Sequence, residues 1–133
     1  VDAVPWTPAP GLLRRLVEAL FVPPTQLPQA VRGTLLRYET PQIMITINAR
    51  KMTDRLRSWT ISGQLRTHEG LLFTTVEQII LRTLGHPQPF EHTTTLSATS
   101  TFTFRELTPG SYTLLIITPD QEILIREIVI EDQ

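Results

Sequence analysis

Cysteine is missing from this chain of 133 residues, which excludes disulfides and thiolate metal sites at once. The redox compartment stays open, because a disulfide-free domain can fold in any of them. Long apolar runs are missing too: none approaches the ~18 residues that a membrane-spanning helix needs. There is no basic-then-apolar leader. The chain begins at Val1 rather than methionine, so a processed chain or a piece of a longer protein is expected. Charge of one sign is also lacking. Twelve lysines and arginines face thirteen aspartates and glutamates, for a formal net charge of −1. No global field therefore draws the protein toward nucleic acid or an anionic membrane.

What the chain does have is a hydrophobic fraction of 41%, enough for a packed core and too much for a disordered chain. Its length suits a single domain. The most informative stretch is 101–117, TFTFRELTPGSYTLLII. Phe102 and Phe104 alternate with polar residues and share one strand face. Leu107 follows, and Pro109-Gly110 marks a tight turn, with proline presetting φ and glycine supplying φ > 0. Tyr112, Leu114 and Ile116 alternate on the next strand. The pattern predicts two adjacent strands of an antiparallel β domain with a buried aromatic centre. Leu115 and Ile117 lie on the other face of the second strand, so that face needs a cover.

The start of the chain reads differently. Pro5, Pro8 and Pro10 predict an extended linker in which Trp6 is the residue expected to dock. Leu12, Leu13, Leu16, Val17, Leu20 and Phe21 recur at helical spacing with Arg14, Arg15 and Glu18 opposite. This predicts a short amphipathic helix ending before Pro23-Pro24. About eleven residues make a marginal helix in water, so its apolar stripe must bury against the domain's own sheet or a partner. Residues 1–29 thus read as a proline-rich linker and short helix, and 30–133 as the β domain.

Short strands follow at 35–38, 43–48 and 58–65, the latter two with clean alternation and a polar hairpin at 49–56 between them. Gly63 inside a strand signals a bulge or a close backbone approach. The segment 71–84 reads either as a buried strand around Ile79-Ile80-Leu81 or as a helix with Thr75 and Gln78 as a capping box. Residues 93–96 and 101–104 predict a hairpin around 97–100. The last strand, 122–130, changes phase between Ile125 and Ile128, which a β-bulge near Arg126-Glu127 would reconcile. Seven or eight short strands with turn signals between them predict an all-β sandwich or barrel.

ISGQL at 61–65, FTFRELTPGSYTLLI at 102–116 and the terminal EILIREIVIED together resemble the carboxypeptidase regulatory-like domain. That family's pattern is a V-x-G-x-V strand followed by G-x-F-x-F-x-x-L-x-P-G-x-Y-x-L and closing strands. The resemblance implies a prealbumin-like (transthyretin-like) Greek-key β-sandwich of about seven strands. One departure stands out: the family's Asp-x-x-Gly turn is Ser97-Ala98-Thr99-Ser100 here. The upstream order of leucine-rich helix, LLRYE, IMITINA and WTISGQL is similar to C-terminal regions of bacterial anti-sigma or zinc-finger-associated regulatory proteins. A cytoplasmic location is the one this context favours.

Catalytic and metal signals are weak. His68, His86 and His92 have no ligand spacing, and no nucleophile elbow or paired carboxylates occur. Neither an enzyme nor a cofactor is expected. Arg50, Lys51, Arg55 and Arg57 form a basic hairpin that could touch phosphates, but Asp54 interrupts it and no aromatic platform accompanies it. Nucleic acid is therefore not an expected partner. Trp59 and Tyr112 could stack on a sugar, yet both fall in phase with core residues. The reading reached is a non-catalytic protein-interaction or regulatory module of a larger bacterial protein, with a protein partner or a second copy expected. Its interaction candidates are Leu12, Leu16, Leu20, Arg50, Lys51, Arg55 and Arg57. The alternative is a carbohydrate- or surface-binding module of a secreted protein.

Overall fold

The computed structural model describes residues 15–23, 35–52, 58–85, 87 and 89–131. Ten strands and no helix occur among them. In chain order they are β1 (Arg15–Glu18), β2 (Leu20–Val22), β3 (Leu35–Glu39), β4 (Ile43–Lys51), β5 (Trp59–Thr67), β6 (Gln78–Thr83), β7 (Glu91–Thr94), β8 (Thr101–Leu107), β9 (Gly110–Ile117) and β10 (Gln121–Ile130). They make two five-stranded sheets, ordered β1-β10-β9-β6-β7 and β2-β3-β4-β5-β8. Every pairing is antiparallel except β1 with β10, which is parallel.

Alternation builds the interior. Ile43, Ile45 and Ile47 on β4, Ile61 and Leu65 on β5, and Leu114 and Ile116 on β9 are fully buried in one cluster with Phe102, Phe104 and Leu107. Each such side chain contributes roughly 1.5–3 kcal/mol by leaving water, so their phase dictates which way each strand faces. On β10 the register slips between Ile125 and Ile128, as the phase change predicts. The slip lets Ile123, Ile125, Ile128 and Ile130 all point inward. The Thr113 hydroxyl donates to the Arg126 carbonyl at 2.8 Å, satisfying a backbone group at the bulge. A second slip, on β8, places Leu107 opposite Trp59 and Phe104 opposite Ile61. Glu106 takes φ +58° there, which turns Leu107 back toward the core.

Several expectations need correction. The helix expected over 12–21 is absent from its described part, where residues 15–22 form β1 and β2. Leu12, Leu13 and Arg14 lie outside the described residues. A helix of this length is marginal in water, whereas an extended chain satisfies the backbone groups of two open sheet edges. β1 pairs with β10, Ala19 donates its N–H to the Leu124 carbonyl at 2.8 Å, and β2 pairs with β3. The chain thus crosses from one sheet to the other at the buried Ala19. Spacing of i and i+4 suits a strand face as well as a helix face, so the pattern alone did not separate them.

Strand count and pairing also differ. The described residues hold ten strands rather than about seven. Residues 93–96 and 101–104 are not a hairpin: β7 pairs with β6 in one sheet and β8 with β5 in the other. The two strands of 101–117 are likewise consecutive but not paired, because β8 and β9 belong to opposite sheets. The Pro109-Gly110 turn carries the chain across the sandwich, with Gly110 at φ +148°. The segment 71–84 resolves as strand at β6, whose Ile79 and Leu81 face the core.

Serine supplies the turn before β8. The Ser97 hydroxyl accepts from the N–H of Thr99 and Thr101 at 3.3 and 3.2 Å, the role a turn aspartate would play. Ser100 adopts φ +61°, where glycine is favoured. Its hydroxyl donates to the Phe73 carbonyl at 2.9 Å, anchoring the strained residue.

Candidate interaction surface

The crossing at Ala19 separates residues that the sequence groups together. Leu16 sits opposite Glu122 on β10, in the outward phase, since the intervening Ile123 is buried. Leu20 sits opposite Glu39 on β3, also outward, since the neighbouring Tyr38 is buried. The two leucines therefore belong to the outer faces of different sheets and do not share a stripe. Leu12, the third member of that stripe, is outside the described residues. Leu20 is 63% exposed and Phe21 49% exposed, and Leu16 is exposed as well. Phe21 lays its ring edge against Tyr38, with centroids 5.5 Å apart. Burial raises the Tyr38 phenol above its usual pKa, and the negative charge of Glu127 adds to the effect.

Arg50 and Lys51 end β4, where they pair with Thr60 and Trp59, and both are exposed. Arg55 and Arg57 lie outside the described residues. Leu20 aligns through Glu39 with Met44. Arg50 is six residues along β4 from Met44, about 20 Å at the usual strand rise. Among the described candidates, Arg50 and Lys51 thus do not lie beside Leu20.

Tyr112, Trp59, His68 and His92 each make contacts within the fold. Tyr112 is buried, with its hydroxyl donating to the Thr108 carbonyl. Trp59 packs on the main cluster. Tyr112 thus offers no open ring face, whereas Trp59 is only partly buried. His68 has its Nε2 2.7 Å from the Thr40 carbonyl oxygen, and His92 meets the Phe104 ring edge-on. His86 is outside the described residues. Among the described residues no group of three or more His, Asp or Glu could hold a metal ion. The described residues hold no helix long and apolar enough to cross a membrane.

The outer faces of the two sheets differ in chemistry. On the second sheet, Asn48, Ser62 and Thr103 lie side by side across β4, β5 and β8, and Thr46, Gln64 and Thr101 form the next row. All six are partly exposed, a flat array of hydroxyls and amides. The strand alternation placed Thr46, Asn48, Ser62 and Gln64 on one side of their own strands. Only the register joins them to β8. On the first sheet the outward residues Ile80, Leu115 and Ile117 form a separate buried cluster with Leu124. Compared with protein-family models, with curated proteins and with solved structures, the chain matches none of them.

Proposed function

We propose that this chain is a non-catalytic protein-interaction module of a larger protein and that it engages its partner through the β1–β2 edge. The observation that carries this reading is the exposure of Leu20 and Phe21 on the short edge strand β2. Edge strands offer unpaired backbone groups, and proteins usually guard them with charge or proline. Here large apolar side chains sit at such an edge instead. The carboxypeptidase regulatory-like resemblance supports a β module with a Greek-key chain path. The sheet-to-sheet connections β5 to β6, β7 to β8 and β8 to β9 are of the kind such a path makes. A regulatory setting of the anti-sigma type belongs to this same proposal.

A photoreactive residue at position 20 of the full-length protein in its own cells tests the reading. Adducts formed at position 20 and not at Thr46 are expected. An adduct pattern no different between the two positions overturns it. The polar array on the second sheet favours a second reading, binding to a carbohydrate or another hydroxyl-rich surface. Adducts or glycan retention that depend on Asn48, Ser62 and Gln64 would select that reading over the first.

A further inference from the structure

The outer face of the second sheet carries four arginines that no carboxylate neutralises, and we infer that it binds a polysaccharide bearing carboxylate groups, a polyuronate. The inference rests on the second reading above, binding at the polar array, and names its ligand. It is separate from the docking edge.

Strand phase puts the four arginines on that face. Arg37 lies opposite Thr46, Arg50 opposite Thr60 and Arg66 opposite Met44, while Arg105 follows Phe104 on β8. Their chain neighbours Tyr38, Ala49, Leu65 and Phe104 pack in or against the core, so the arginines take the outward phase. Arg50 and Arg105 are exposed, and Arg37 and Arg66 partly so. From Met44 to Arg50 is about 20 Å at the usual strand rise, and β3 to β8 spans about 14 Å. The rows of Thr46 with Gln64 and of Asn48 with Ser62 lie inside that frame.

The charge is not matched locally. In the strands of the second sheet, Arg37, Arg50, Lys51, Arg66 and Arg105 face Glu39 and Glu106 alone. On the first sheet each outward arginine has its acid: Arg82 pairs with Glu91, and Arg126 with Glu18. Among the described residues no carboxylate pairs with Arg37, Arg50, Arg66 or Arg105. Arg66 donates to the Gln64 Oε1 and to the Gly70 carbonyl, both neutral acceptors. The buried Nε of Arg37 has no hydrogen-bond partner. A chain of net charge −1 thus presents one positive face, which attracts anions locally.

The chemistry between the charges selects the anion. A guanidinium fork matches a carboxylate in two parallel hydrogen bonds. The hydroxyls and amides of Thr46, Asn48, Ser62 and Gln64 suit the hydroxyls of a sugar chain. No aromatic residue occupies an outward position of β3, β4, β5 or β8, so stacked bases find no platform there.

Calorimetric titration of the full chain with polygalacturonate and with its methyl ester separates charge from hydroxyl recognition. The expected result is binding to the acid that weakens as salt rises, and several-fold weaker binding to the ester. Arg50→Gln and Arg105→Gln, at exposed positions, should each weaken binding several-fold while the β circular dichroism persists. Arg126→Gln, on the other sheet, should leave it unchanged. Ester and acid bound equally well overturn the inference and leave the second reading standing. Binding to neither overturns both. Polyglutamate or single-stranded DNA bound more tightly than polygalacturonate also overturns it, in favour of an acidic protein or a nucleic acid on this face.

Discussion

Gly63 on β5 and Phe102 on β8 face each other across the sheet, and the phenyl ring occupies the space a side chain at 63 would need. A Cβ built on Gly63 would lie 2.1 Å from Phe102 Cζ. The glycine thus marks a close approach within the sheet. Phe102 in turn meets Phe104 edge-on, with centroids 6.0 Å apart, so pushing one ring disturbs the aromatic centre.

Gly63→Ala should therefore destabilise the fold by about 1–3 kcal/mol, the usual cost of overpacking a full core. In chemical denaturation the midpoint should fall, and Phe102→Leu in the same chain should recover part of the loss. Additive effects of the two changes would show that the ring does not occupy this space.

Phe104→Ala removes a buried ring from the main cluster. The expected cost is about 3–5 kcal/mol. A midpoint that hardly moves would place Phe104 on the surface and reverse the phase of β8.

The turn before β8 offers a finer test. Ser97→Ala deletes the acceptor for two backbone N–H groups and should cost about 1–2 kcal/mol. Ser97→Asp keeps the acceptor and should hold stability at or above the starting level. If both variants behave alike, the hydroxyl does not organise the turn.

At Ala19 the chain passes between the sheets with its side chain buried. Ala19→Asp places a carboxylate there and should cost about 2–4 kcal/mol. Hydrogen exchange should rise first at β1 and β2 in that variant. Uniform exchange across both sheets would mean that the crossing is not a separate unit.

Alkaline pH reports on Tyr38, whose folded pKa stands above its unfolded value because burial disfavours the phenolate. The neutral form is the one the fold prefers. Its contribution is complete below the unfolded value of about 10 and is lost as pH rises through the folded one. Stability measured from pH 8 upward should fall beyond about pH 10, and Tyr38→Phe should flatten that fall. An unchanged alkaline slope in the variant would assign it to other groups.

Much of the local structure was legible because alternation is a local property. Ile43, Ile45 and Ile47 announce their strand and its inner face through spacing alone, and the phase change after Ile125 announces the bulge. The candidate surface was legible only in part. Leu16 and Leu20 were visible as apolar positions, but the same spacing serves a helix and a strand, and their separation depends on the crossing at Ala19.

By itself, then, the sequence determined the all-β class, the inward residues of the long strands, the turn at Pro109-Gly110 and the need to cover Leu115 and Ile117. These follow from side-chain period and from backbone preferences within a few residues. Tertiary structure alone decided that β8 and β9 lie in opposite sheets and that β7 and β8 do not pair. It also decided that residues 15–22 extend along two edges. Those outcomes depend on which backbone donors and acceptors remain open after the other strands have paired, a quantity that belongs to the whole sandwich and to no single segment.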